Sequence, residues 1–209
     1  MNVLDVKRLQ IYRGTSLVID NLSFQIREHQ RFFLQGEIGT GKSTLLLALL
    51  GFVPIRQGEI LLFGQACHEE KDFEPFRGTV GLCFQQPEDQ LFGPTVLDDV
   101  AFGPLNQGFS HTEAYRIALT QLERLDIAHL KARSVNLLSG GEKNFTALAG
   151  VLAMQPKMLL LDEPTNGLDN KTAAKLTALL RELNLPMLIA SHDLSLSRQL
   201  ADDVLILSK

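Results

Sequence analysis

The chain has 209 residues, 45 % hydrophobic and 21 % charged, which suits a soluble globular protein with a hydrophobic core of its own. Its net charge of −4, with no long Lys/Arg run, excludes a broad cationic footprint for nucleic acid. Two cysteines, Cys67 and Cys83, are too few for a disulfide framework or a metal-ligand pattern and fit a reduced, cytosolic setting. Met1 to Gln10 carries Asp5, Lys7 and Arg8 where a secretory signal would be apolar. The longest apolar stretch, Leu45 to Val53, is too short to cross a bilayer. Any membrane role is therefore expected to run through a partner.

In chain order, Leu22-Ser23-Phe24-Gln25-Ile26 alternates with the period of a half-buried strand. Phe32-Phe33-Leu34 is an apolar strand, and it feeds a loop at Gly36-Glu37-Ile38-Gly39-Thr40-Gly41-Lys42-Ser43-Thr44. That loop completes the pattern G-x-x-x-x-G-K-[ST] between an apolar strand and the helix formers Leu45 to Leu50. Its glycines let backbone N–H groups curl around a β-phosphate, and the helix offers its positive end. Lys42 can reach the β- and γ-phosphates, and the Ser43 hydroxyl can ligate Mg²⁺. A nucleoside triphosphate is the expected ligand.

Gly58 to Gly64 reads as a strand bounded by glycines, and Val80 to Phe84 as a short buried strand. Pro87, Pro94 and Pro104 punctuate loops, after which Ser110-His111-Thr112-Glu113 is a capping box. It opens a helix with Ala114, Ile117, Ala118, Leu122 and Leu125 on its apolar face. Leu138-Ser139-Gly140-Gly141-Glu142 is also a capping box, but capping does not call for two glycines in a first helical turn. A bare, hydroxyl-bearing helix start suits close approach by a phosphate.

The last third alternates strand and helix. Met158 to Leu161 is a continuous apolar run, as for a strand covered on both faces, and Asp162-Glu163-Pro164 follows. Adjacent strand residues face opposite ways, so one carboxylate can order Mg²⁺ while the other acts as general base for water. Lys171 to Asn184 is an amphipathic helix, and Met187 to Ala190 and Val204 to Leu207 are further buried strands. The reading is a single α/β domain over residues 1–209, with a P-loop parallel-sheet core, an N-terminal antiparallel β lobe and a helical subdomain inserted at about 87–150.

The phosphate loop, Leu138 to Glu142, and Leu161-Asp162-Glu163-Pro164, in that order, resemble the ATP-binding-cassette (ABC) ATPases over essentially the whole chain. The resemblance implies two such domains dimerised head to tail, each ATP lying between one phosphate loop and the other subunit's signature segment. It places Ser139, Gly140 and Gly141 at the γ-phosphate across the dimer. Gln85 resembles the Q-loop glutamine at Mg²⁺ and the attacking water, alongside Ser43 and Asp162 at the metal. His192 resembles the switch histidine, Asp169 the D-loop aspartate, and Tyr12 the aromatic that stacks on adenine. Glu163, His192, Gln85 and Lys42 are then the catalytic set.

A narrower resemblance rests on Phe84-Gln85-Gln86-Pro87-Glu88-Asp89-Gln90-Leu91-Phe92, Val100-Ala101-Phe102-Gly103-Pro104 and Ala149-Gly150-Val151-Leu152-Ala153. These segments resemble the ATPases of energy-coupling-factor transporters, importers of cobalt, nickel, biotin and other vitamins. That implies transmembrane partner subunits, with the segment after Gln85 as their dock, and a peripheral position on the cytoplasmic face of the cell membrane. The two phenylalanines, Phe92 and Phe102, read either as that dock or as core plugs of the helical subdomain. The chain departs from the common pattern at Glu142, where glutamine is usual, at Asn144-Phe145, where Gln-Arg is frequent, and in stopping just after the last strand. Because it carries both a phosphate loop and a signature segment, a homodimer is expected. The competing readings are a soluble non-transport ABC ATPase acting on nucleic acid or ribosomes, which would want a basic face, and a small-molecule P-loop kinase, which would not need the second glycine-bearing helix start.

Overall fold

The structure is a computed structural model that describes residues 1–208. Strands β1 (Asn2–Arg13) and β2 (Ser16–Arg27) form an antiparallel ribbon through a turn at Gly14. The chain then crosses to β3 (Arg31–Gln35), passes the phosphate loop into α1 (Lys42–Ala48), and returns to the lobe as β4 (Ile55–Leu62) and β5 (Gln65–Cys67). The lobe is a four-stranded antiparallel sheet in the order β2-β1-β4-β5.

In the lobe, a strand boundary differs from the sequence reading. Gly58 does not bound β4 but lies inside it, at φ +97°, where the register with β1 shifts between Lys7 and Gln10. A Cβ there would stand 2.6 Å from the carbonyl oxygens of Lys7 and Arg8. A bulge and a strand end make the same demand for positive φ, and here the bulge accounts for the glycine.

Beyond a short helix, α2 (Glu70–Phe73), strand β6 (Val80–Cys83) enters the second sheet. Three helices follow: α3 (Val96–Asn106), α4 (His111–Arg124) and α5 (Gly140–Ala153). The chain then alternates β7 (Met158–Asp162), α6 (Asn170–Glu182), β8 (Met187–Ala190), α7 (Leu194–Leu200) and β9 (Asp203–Ile206). This sheet is parallel throughout, in the order β6-β7-β8-β3-β9.

Its central strands feed two cores by simple alternation. Phe33, Leu159, Leu161, Met187 and Ile189 face the core shared with α3 to α7. Phe32, Leu34, Met158, Leu160, Leu188 and Ala190 face the core shared with α1 and the β lobe. Burial on both faces is why these strands read as unbroken apolar runs.

Two further readings change in the helical segment. Pro104 lies within α3 and not in a loop. It falls in the last turn, where its missing N–H forfeits one helical bond only. The adjacent Gly103 lets α3 press against Met154 at the end of α5, since a Cβ would meet that side chain at 2.5 Å. At Ser110 only half of the expected box forms: the hydroxyl accepts from Glu113 N at 3.3 Å, and the Glu113 carboxylate takes the hydroxyl proton instead of the Ser110 N–H. At Ser139 both halves are present. Among the described residues no helix is long and apolar enough to cross a membrane.

Candidate nucleotide site

The parallel sheet lines up its carboxyl ends so that four loops meet in a row. The phosphate loop follows β3, His192 follows β8, Asp162 ends β7 with Glu163 just beyond it, and Gln85 follows β6. Open parallel sheets present ligands at this edge. The loop is shaped by close approach: a Cβ on Gly36 would sit 2.7 Å from both the Leu207 carbonyl oxygen and Thr40 Oγ1. Gly41, at φ +92°, caps α1 and leaves no room for a side chain against Val18. Thr40 is buried and donates to the Glu37 carbonyl at 2.9 Å, fixing the loop's curl.

The loop faces a cleft of about 370 Å³ walled by Gly39, Gly41, Lys42, Ser43 and Thr44, with Gln85, Asp162 and Glu163 opposite. Lys42 is buried and folded back: Nζ donates to the carbonyls of Gly36 at 2.8 Å and Glu37 at 3.2 Å and pairs with Glu163 Oε1 at 3.4 Å. The other Glu163 oxygen, Oε2, accepts from Ser191 Oγ (3.2 Å) and His192 N (3.1 Å) and meets His192 Nδ1 at 2.8 Å. A carboxylate only accepts, so Nδ1 carries the proton in that contact. Glu163 itself holds φ +46°, anchored by its N–H on the Ala190 carbonyl at 2.8 Å.

Asp162 behaves differently from its neighbour. It is buried, and its Oδ1 has no hydrogen-bond partner. Burial raises its pKa above the ordinary carboxylate value, the charge of Glu163 adds to the rise, and the Ser43 hydroxyl and Lys42 act in the opposite direction. An orphaned anionic oxygen beside a serine hydroxyl and the amide of Gln85 is a hard-donor set that Mg²⁺ fits.

The remaining predicted residues lie apart. Ser139, Gly140, Gly141 and Asp169 line a separate hollow of about 710 Å³, and among the described residues none lines both. Ser139 Oγ accepts from Glu142 N, and Glu142 Oε2 accepts from Ser139 N at 2.7 Å. The glutamate that replaces the common glutamine thus closes the box as an anion. The Ser139 N–H holds its carboxyl below the usual range, and Arg133 pairs with it at 3.1 Å. Asn144 Nδ2 donates to the Pro164 carbonyl at 3.1 Å, tying α5 to the turn after Glu163. Phe145 is buried, with Lys175 Nζ 5.3 Å from its ring centre. Asp169 caps α6 through Lys171 N, Thr172 N and the Thr172 hydroxyl.

A Cβ on Gly141 would touch Thr172, but one on Gly140 would meet nothing within 4 Å. Packing inside the chain therefore gives no reason for glycine at 140. Tyr12 is partly exposed at the end of β1 and lies outside the cleft wall, to which the lobe contributes Arg13, Ser16 and Val18. Those three, with Ser191, escaped the sequence reading. No local pattern marks them, although Asp193, which caps α7 beside Ser191, carries an N-cap signal.

The family model for ABC transporters matches residues 19–166. An uncharacterized ABC transporter ATP-binding protein of Haemophilus influenzae is 64 % identical over 206 residues, covering 99 % of this chain and 95 % of that protein. The cobalt import ATP-binding protein CbiO of Rhodobacter capsulatus is 42 % identical over 197 residues, covering 92 % of this chain and 70 % of that protein. Among solved structures, cbiO1 of Clostridium perfringens, part of the ABC transporter complex cbiONQ, superposes with a TM-score of 0.88 at 32 % identity, over 99 % of this chain and 85 % of that one. With the phosphate loop, the acidic strand end and the signature helix in their expected order, this chain belongs to the ABC transporter family, as an ATP-binding subunit that hydrolyses ATP.

Proposed function

We propose that this chain powers a membrane importer of the energy-coupling-factor type, taking up cobalt or nickel ions or a vitamin, from the cytoplasmic face of the cell membrane. The observation that carries the reading is an apolar groove of about 530 Å³ beside the Gln85 loop. Phe92 is 63 % exposed and Phe102 46 %, in edge-to-face contact with ring centres 4.5 Å apart. They are therefore not core plugs. Asp99 holds the backbone at the tip, accepting from Phe92 N at 2.8 Å and Gly93 N at 2.7 Å. A supported, exposed aromatic pair is what a docking helix of a membrane partner would use. The cobalt-import relative and the cbiO1 structure, of a protein that is part of an ABC transporter complex, support the same choice.

In the proposed cycle Tyr12 stacks on adenine, and the loop from Gly36 to Thr44 wraps the phosphates. Their charge draws Lys42 off the Gly36 and Glu37 carbonyls and off Glu163 Oε1, which frees that oxygen to take a proton from water. His192 turns from Glu163 to the γ-phosphate. Ser43, Asp162 and Gln85 would hold Mg²⁺, which when bound neutralises developing phosphate charge. Ser139 and Gly141 of a second copy close on the γ-phosphate, with Asp169 beside them, so the working unit is a head-to-tail homodimer. The open space over Gly140 supports that approach.

Replacing Glu163 with glutamine tests the assignment. The Glu163→Gln variant should bind ATP normally and lose turnover by about 100-fold or more; wild-type turnover would remove Glu163 from its role. Purifying the native complex through this chain should bring membrane proteins with it, and recovery with ribosomes or nucleic acid instead would defeat the importer reading.

A further inference from the structure

We propose that Ser191 is a positioning residue for hydrolysis, the last link of a polar strap, Thr165–Asp193–Ser191, that aims the Glu163 carboxylate. The inference rests on the reading of Glu163 as the base. Glu163 needs aiming, because it stands just past the end of β7 in a left-handed conformation that fixes its backbone and not its side chain. Its carboxylate is held at Oε1 by Lys42 and at Oε2 by Ser191 Oγ, His192 N and His192 Nδ1. In the proposed cycle the γ-phosphate takes both Lys42 and the His192 ring. The Ser191 hydroxyl is then the one side chain of this set still holding Glu163, when its direction matters most.

The hydroxyl is well placed for that duty. Ser191 is fully buried, and its N–H donates to the Leu34 carbonyl at 3.1 Å, which fastens it to the strand that feeds the phosphate loop. Its Oγ accepts from Asp193 N at 3.0 Å, which turns the O–H toward Glu163. Asp193 is fixed in turn: Oδ1 caps α7 through Ser195 N and Leu196 N, and Oδ2 accepts from Thr165 Oγ1 at 3.0 Å. Thr165 lies two residues beyond Glu163, so the strap closes a ring between the ends of β7 and β8. Neither Ser191 nor Thr165 lines the nucleotide cleft.

The test measures turnover, ATP affinity and melting temperature for Ser191→Ala and Thr165→Val beside Glu163→Gln. Loss of one hydrogen bond to a charged group predicts kcat about tenfold lower in Ser191→Ala. ATP affinity should stay within about twofold, since binding does not pass through the strap. Thr165→Val, close in shape and one step further back, should lower kcat about threefold with the same split. If Glu163→Gln loses turnover and Ser191→Ala keeps it, the positioning role is wrong and the base assignment stands. If Glu163→Gln keeps turnover, the base assignment falls and this inference with it. Equal losses in affinity and kcat, or a melting drop that accounts for the lost activity, would make Ser191 structural only and overturn the proposal.

Discussion

The phosphate-loop half and the signature half of this molecule are finished to different degrees. At the loop the charged side chains of Lys42 and Glu163 are already engaged within the chain. Lys42 occupies the Gly36 and Glu37 carbonyls and one oxygen of Glu163, while Ser191 and His192 occupy the other. At the signature, Ser139 and Glu142 satisfy each other as a capping box, and the space over Gly140 is left open. In the proposed cycle the first half must be disengaged by a ligand before it can act, and the second, with nothing to release, receives the phosphate of another copy. Energy coupling needs this asymmetry, because a half-site that is complete alone would hydrolyse ATP without its partner. The aromatic groove resembles the signature half: its support is internal, through Asp99, and its face is exposed.

The sharpest way to break the comparison is Gly140→Asp. An acid in the first turn of α5 suits the helix dipole, so the fold should be unharmed. The carboxylate would, however, fill the open approach and repel a phosphate there. Turnover should fall by about 100-fold or more, the scale of losing one transition-state donor, while ATP affinity of the isolated chain stays unchanged. A fall in affinity as large as the fall in turnover would mean that the two halves already meet within one chain.

A middle-sized effect is expected at the groove. Asp99→Ala leaves Phe92 N and Gly93 N without their acceptor, which costs about 2 kcal/mol and lowers the melting temperature by roughly 4–8 °C. Nucleotide affinity should not change, and recovery of the membrane partner should drop with the misplaced Phe92. If the partner is recovered in full, the groove is not its dock.

How much of this was legible in the sequence depends on whether a function sits on one stretch of chain. The loop from Gly36 to Thr44 and the segment from Ser139 to Glu142 are contiguous, so the sequence reading of phosphate approach needs only their own glycines. The central strands were legible because burial on both faces leaves unbroken apolar runs such as Met158 to Leu161; the last strand, read as buried, is instead a largely exposed edge strand, with Ile206 70 % exposed. The helices between β6 and β7 share a core with Leu159, Leu161, Met187 and Ile189, so their packing belongs to the sheet as much as to themselves. What escaped was assembled across the fold. Ser191 and Glu163 are 28 residues apart, and Arg13, Ser16 and Val18 reach the cleft only through the hairpin at Gly14. Gly58 was misread because the sequence does not say whether a positive φ ends a strand or bulges it. Phe92 and Phe102 stayed ambiguous because exposure is set by the packing of α3 on α5, which no local pattern encodes.

The smallest effect tests a carboxylate oxygen of the loop half that the chain leaves unpaired. Asp162 Oδ1 is buried without a partner, an anionic oxygen left for a ligand while Glu163 beside it is held at both oxygens. Burial, reinforced by the charge of Glu163, raises its folded-state pKa against the opposing pull of Ser43 and Lys42. A raised carboxyl pKa favours folding below the unfolded value, and that contribution is lost as pH rises through the folded value. At neutral pH the ionised group therefore works against the nucleotide-free fold. Asp162→Asn should melt about 2 °C higher than wild type at pH 7, with the difference gone near pH 4, about the ordinary aspartate value. Adding Mg²⁺ and ATP should reverse the order, because the carboxylate then gains a cation that the amide binds poorly. A variant that melts below wild type at pH 7 without nucleotide would show that the orphaned oxygen is compensated inside the chain, and the loop half would then hold nothing in reserve for a metal.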